Sequence, residues 1–178
     1  MSDKPARVLK KPCARMANDM LLSQDALKKI DRELAKYPAD QRQSAVMSAL
    51  RIAQDEHGWL PAELQQEIAD YIGMPAVAVQ EVATFYNMYN TRQQGKHKIT
   101  VCTNLPCLLS GGERAAHHLK HKLGVGYKET TADGQFTIVE GECMGACGDA
   151  PVMLVNNHRM CSWMSNDKID ALLEELKK

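Results

Sequence analysis

With 178 residues, 44% of them apolar, the chain is long enough to fold as one or two small domains with their own cores. Lys and Arg total 22 and so do Asp and Glu, so no cationic excess exists to neutralise a run of phosphates, which argues against nucleic acid as a partner. No apolar run approaches the roughly 20 residues that span a bilayer, so direct membrane insertion is not expected.

Residues 1–20 read as a flexible basic tail. Lys4, Arg7, Lys10, Lys11 and Arg15 suit an acidic surface, and no apolar core of signal-peptide length accompanies them. Residues 21–90 read as a four-helix domain. Ser23 is placed to cap a first helix that turns Ala26, Leu27, Ile30 and Leu34 to one face and ends at Tyr37-Pro38. Asp40 with Gln43 resembles a capping box for a second helix carrying Val46, Leu50 and Ala53 inward as far as His57-Gly58. Pro61 and Pro75 suit the first turns of two more, with Leu64, Ile68 and Ile72, then Val79, Val82, Ala83 and Tyr86, on their apolar faces.

The period changes across residues 96–178. Residues 97–102 (HKITVC) predict a strand, 112–123 (GERAAHHLKHKL) a helix, and QFTIVEG a second strand after the turn signal Asp133-Gly134. Two short strands around Asn156-Asn157 follow, and Ile169, Leu172, Leu173 and Leu176 give a closing amphipathic helix. A βαβ unit followed by ββα is the order of a thioredoxin-like α/β fold, with Pro151 where that fold often keeps a cis proline.

Six cysteines without an export signal point to a reducing interior, where clustered thiols serve metals or redox chemistry. Cys102 and Cys107 form a C-x4-C pair on a loop leading into a helix, and Cys143 and Cys147 a C-x3-C pair after the second strand. Parallel strands of a βαβ unit deliver their C-terminal ends to one sheet edge, so both pairs should meet there. Structural zinc most often uses C-x2-C, a spacing neither pair has, and a dithiol redox centre would use C-x-x-C. An iron–sulfur cluster takes four thiolates, and wider spacings such as C-x4-C occur among its proteins. The spacing therefore favours [2Fe-2S] over zinc, with zinc still open. Gly145 and Gly148 allow amide N–H groups to turn toward sulfur, the helix starting near Ser110-Gly111-Gly112 would point its positive end there, and Leu105, Leu108, Leu109 and Met144 are candidates to shield sulfide.

These stretches, with TFYNMY, CTNLPCLLSG and TADGQFTIVEGECMGACGDAPVM, resemble the thioredoxin-like [2Fe-2S] ferredoxins that serve as a peripheral-arm subunit of proton-pumping NADH:quinone oxidoreductase, respiratory complex I. The resemblance runs from about Leu21 to Leu176. It departs at Met144, where the family often has leucine. It implies one [2Fe-2S] cluster ligated by Cys102, Cys107, Cys143 and Cys147. It also implies an adjacent subunit that holds FMN and binds NADH, with other peripheral-arm subunits beyond it. NADH yields two electrons as hydride and a cluster accepts one, so the flavin divides the pair and no substrate-binding catalytic residue is expected in this chain. A cytoplasmic place, peripheral on the cytoplasmic face of the inner membrane in a bacterial-type complex, follows from the same likeness. The equivalent subunit of an NAD-linked hydrogenase or formate dehydrogenase shares the chemistry, and a zinc-stabilised interaction module is the rival of another class.

Cys13 reads as a free thiol of the tail and Cys161 as a small buried hydrophobe. His117 and His121, one helical turn apart with His118 beside them, read as surface histidines. Phe85, Tyr86 and Tyr89 read as rings packed between the two halves. A ferredoxin needs no helical extension to hold a cluster, so that domain is expected to dock on the flavin subunit.

Overall fold

The computed structural model describes residues 20–178. The basic tail and Cys13 lie outside the described residues, apart from Met20. The chain divides into two compact units at Thr91 and Arg92.

Among the described residues the first unit holds four α-helices, α1 (Gln24–Leu34), α2 (Val46–His57), α3 (Ala62–Ile72) and α4 (Ala76–Phe85). Ser23 caps α1, its hydroxyl accepting the Ala26 N–H at 3.1 Å. The expected capping box at Asp40 and Gln43 does not form. Ala39–Ala45 is instead a 3₁₀ segment kinked at Gln41, with no side-chain cap, and α2 starts only at Val46. Ile30, Leu50, Leu60, Leu64, Ile68 and Val79 are fully buried and make the core of this unit. Tyr89 joins that core, and its hydroxyl donates to the Met47 carbonyl at 2.8 Å. Phe85 is 80% exposed and meets Tyr86 edge-on. The carboxylate of Glu67, 4% exposed, accepts the Leu21 and Leu22 N–H groups at 2.8 and 3.0 Å and so ties the approach to α1 onto α3.

The second unit is a sheet of order β2-β1-β3-β4 with helices α5 (Leu105–Leu109), α6 (Gly112–Leu123) and α7 (Asn166–Leu176). Strands β1 (His97–Cys102) and β2 (Phe136–Gly141) run parallel, while β3 (Met153–Val155) is antiparallel to β1 and to β4 (Arg159–Cys161). Alternate residues Ile99, Val101, Phe136, Ile138, Met153 and Val155 pack with Ala115, Ala116 and Leu119 of α6 and with Ile169, Leu172 and Leu173 of α7. Cys161 is part of this core, and burial pushes its thiol above the ordinary value. Three residues, 156–158, link β3 to β4; Asn156 and Asn157 both take positive φ at the centre of the turn, which the His158 N–H closes onto the Val155 carbonyl at 3.1 Å. The Ala150–Pro151 peptide bond is cis.

Lys98 alternates away from the Ile99 and Val101 side of β1, is 4% exposed, and has its amine pushed down to about 8 by burial. A folded pKa below the unfolded value means that between about pH 8 and 10.5 the unfolded chain binds more protons, so this group's contribution to stability rises with pH. Below about pH 8 the lysine is charged in both states and the slope vanishes. Urea unfolding across pH 7 to 11 should therefore show wild type gaining on Lys98→Met only within that window, by up to about 3 kcal/mol.

Candidate metal centre

The parallel register sets Cys102, the last residue of β1, opposite Gly141, the last of β2. Both following loops therefore leave from one sheet edge. Cys102 is 3% exposed and its N–H donates to the Val152 carbonyl at 3.2 Å, which draws the end of the second loop to the end of β1.

Cys107 lies on the short helix α5 rather than on a loop, with Pro106 in its first turn and only 1% of its surface exposed. Gly112 opens α6 against the Cys107 backbone. A Cβ there would stand 2.7 Å from the Cys107 carbonyl oxygen and 2.9 Å from its carbon, so only glycine lets the helix start this close to the Cys107 turn.

Cys143 and Cys147 are exposed, with their sulfurs 3.5 Å apart. Gly145 takes φ +75, and its N–H points at Cys143 Sγ from 3.4 Å. That amide, and after it the Cys147 thiol, holds Cys143 below the ordinary cysteine range. Gly148, named for the same role, does not take positive φ.

The two pairs feel each other. Cys147 is raised mainly by Cys143, with Cys102 adding to it. Burial raises Cys107 first, and both Cys102 and Cys147 raise it further. Neighbouring thiols resist ionising together because each new thiolate repels the others. A cationic centre that prefers soft sulfur donors removes that repulsion, so the donor set fits a thiolate-ligated iron–sulfur group. Met144, Ala146 and Ala150 pack against Cys102, Cys107 and Val152 and wall the inner side. Leu105, Leu108 and Leu109 do not. They are 62, 44 and 79% exposed and stand outward. Among the described residues no three Cys, His, Asp or Glu side chains converge tightly enough to hold a single metal ion, and the thiols meet as two pairs.

Two contacts at this edge carry no signal in the sequence. Val152 joins the buried pair through packing, and Asp149 accepts a hydrogen bond from the Ser162 hydroxyl at 3.1 Å across 13 residues. His117 and His121 are exposed, while His118 bonds Asp170 of α7 at 2.8 Å beside Lys122 at 3.1 Å. Those two partners hold the Asp170 carboxyl below its usual range. No helix among the described residues is long and apolar enough to cross a membrane.

The family model described as thioredoxin-like [2Fe-2S] ferredoxin matches residues 30–177. An NADH-quinone oxidoreductase subunit of Rhizobium meliloti is 42% identical over 148 residues, covering 83% of this chain and 86% of that protein. NADH-quinone oxidoreductase subunit 2 of Thermus thermophilus is 37% identical over 83% of this chain and 82% of its own length. An air-oxidised NAD+-reducing [NiFe]-hydrogenase matches in structure with a TM-score of 0.67 at 22% identity, over 79% of this chain and 24% of that longer one, a likeness of fold alone.

The fit at Gly112 is testable without any bound group. Gly112→Ala forces two backbone segments apart and should destabilise the chain by about 1–3 kcal/mol in thermal unfolding.

Proposed function

Because the chain belongs to the thioredoxin-like [2Fe-2S] ferredoxin family, we propose that Cys102, Cys107, Cys143 and Cys147 hold one [2Fe-2S] cluster in the electron-transfer subunit of an NADH:quinone oxidoreductase. The observation that supports this reading is that two thiol pairs, one at the end of β1 and in α5 and the other on the loop after β2, lie at one end of the β1–β2 pair, near enough for Cys102 to perturb Cys147 and for Cys147 to perturb Cys107. Bound there, the cluster supplies one-electron storage.

The chain's own residues do the rest. Cys102 and Cys107 are fixed by a strand and a helix and sealed from water by Val152 and Met144. The Gly145 N–H stabilises negative charge on the Cys143 sulfur, and hydrogen bonds of this kind raise a reduction potential. Cys143 and Cys147 reach the surface, which makes their edge the route by which an electron enters or leaves. The exchange partner is an adjacent subunit that holds FMN and binds NADH, within a peripheral arm on the cytoplasmic face of the membrane. Relatives at 37–42% identity are named as NADH-quinone oxidoreductase subunits, whereas the hydrogenase resembles the chain in fold only, which favours the respiratory reading over the hydrogenase one. The helical unit serves as the docking body, with Val77 and Phe85 exposed on α4.

Dithionite-reduced protein should give an electron paramagnetic resonance signal of one unpaired electron per chain, with about two iron and two sulfide. Cys143→Ser should abolish or strongly alter that signal. A colourless chain that carries zinc would overturn the reading. Phe85→Asp, at a site too exposed to harm the core, should cut co-purification of the flavin-bearing subunit by about tenfold or more.

A further inference from the structure

We propose that Asp149 and the segment Ser162–Met164 form a clasp that holds the Cys143–Cys147 loop in its ligating shape, with Asp149 as a positioning residue. The proposal rests on the cluster assignment above.

The two cysteine pairs are held very differently. Cys102 and Cys107 sit buried in a strand and a helix, whereas Cys143 and Cys147 are exposed on a loop whose regular structure is one 3₁₀ turn, Cys147–Asp149. A loop of that kind frays unless something outside it fixes the backbone.

Three hydrogen bonds from the connection between β4 and α7 supply that fixation. The Ser162 hydroxyl donates to the Asp149 carboxylate at 3.1 Å, the Trp163 N–H to the Asp149 carbonyl at 2.7 Å, and the Met164 N–H to the Pro151 carbonyl at 2.9 Å. Asp149 also closes the turn from within, its own N–H donating to the Ala146 carbonyl at 3.0 Å. Each displacement of Asp149 is thus passed to Cys147, two residues away. At the far end Met164 is 5% exposed in the core beside α7, so the clasp moors the exposed pair to a rigid element.

Trp163 marks the cost of this arrangement. It takes φ +51, a left-handed conformation that a bulky residue adopts only when its surroundings impose it. Burial of the ring does not impose it, because the indole is 57% exposed. The hydrogen bonds of the clasp are what the strained backbone achieves. Lys168 braces the same segment, its ammonium 5.6 Å from the indole centroid and 3.5 Å from the Ser162 carbonyl.

The test uses the full chain, loaded anaerobically with ferrous iron and sulfide, and follows loss of visible absorbance under an iron chelator together with the resonance spectrum of the reduced protein. Asp149→Ala and Ser162→Ala should each shed the cluster about tenfold faster than wild type. The double variant should be no faster than either single one, because both lose the same bond. Asp149→Asn keeps an acceptor oxygen and should stay within about threefold of wild type, with the wild-type line shape that Asp149→Ala loses. If the alanine variants shed the cluster at the wild-type rate, or Asp149→Asn is as fast as Asp149→Ala, the clasp is wrong and the ligand assignment stands. If wild type itself takes up no two-iron cluster, the assignment and the clasp built on it fall together.

Discussion

The parallel pairing that places Cys102 opposite Gly141 is the constraint on which the proposed metal centre depends. Parallel strands joined through a crossover helix end at the same edge, so residues some 40 positions apart in sequence become neighbours without any local signal that they should. A slip of one residue in that register would turn Cys102 to the other face of the sheet. The apolar pattern of β1 and β2 prevents the slip, since Ile99, Val101, Phe136 and Ile138 must all face α6 and α7. Core packing thereby sets the position of the first thiol.

Around that edge the site is asymmetric. The buried pair is rigid and dry, and the exposed pair is tied down by hydrogen bonds from a neighbouring connection. Such a division suits an electron carrier. On the proposed assignment the buried half of the four thiols would keep water from a bound cluster, and the exposed half would face a partner. Burial first and then neighbouring thiols raise Cys107, and Cys143 above all raises Cys147; the repulsion between thiolates is relieved once positive charge sits between the sulfurs.

Much of the fold is legible in the sequence because its signals are local. Ser23, Gly58 and Gly73 mark helix ends, the runs 97–102 and 112–123 coincide with β1 and α6, and Asn156-Asn157 marks its hairpin. What escapes has a physical reason in each case. The 3₁₀ segment Ala39–Ala45 carries the residues of a capping box but not its hydrogen bonds. The helix α5 is too short to show a period, which is why Cys107 reads as a loop residue and why the outward stance of Leu105, Leu108 and Leu109 is hidden. At the site, cysteine spacing exposes the candidate thiols. The Asp149–Ser162 bond and the fit of Gly112 on Cys107 belong to tertiary structure and leave no mark on spacing.

A two-iron cluster held by the sulfurs of Cys102, Cys107, Cys143 and Cys147 is the proposal on which the rest depends. X-ray absorption at the iron edge of the loaded full-length chain tests it most directly, because it reports the neighbours of the metal itself. A first shell made of sulfur alone, with a second iron as the next neighbour, is the predicted result. A shell of oxygen or nitrogen donors, or iron with no iron beside it, would contradict the account.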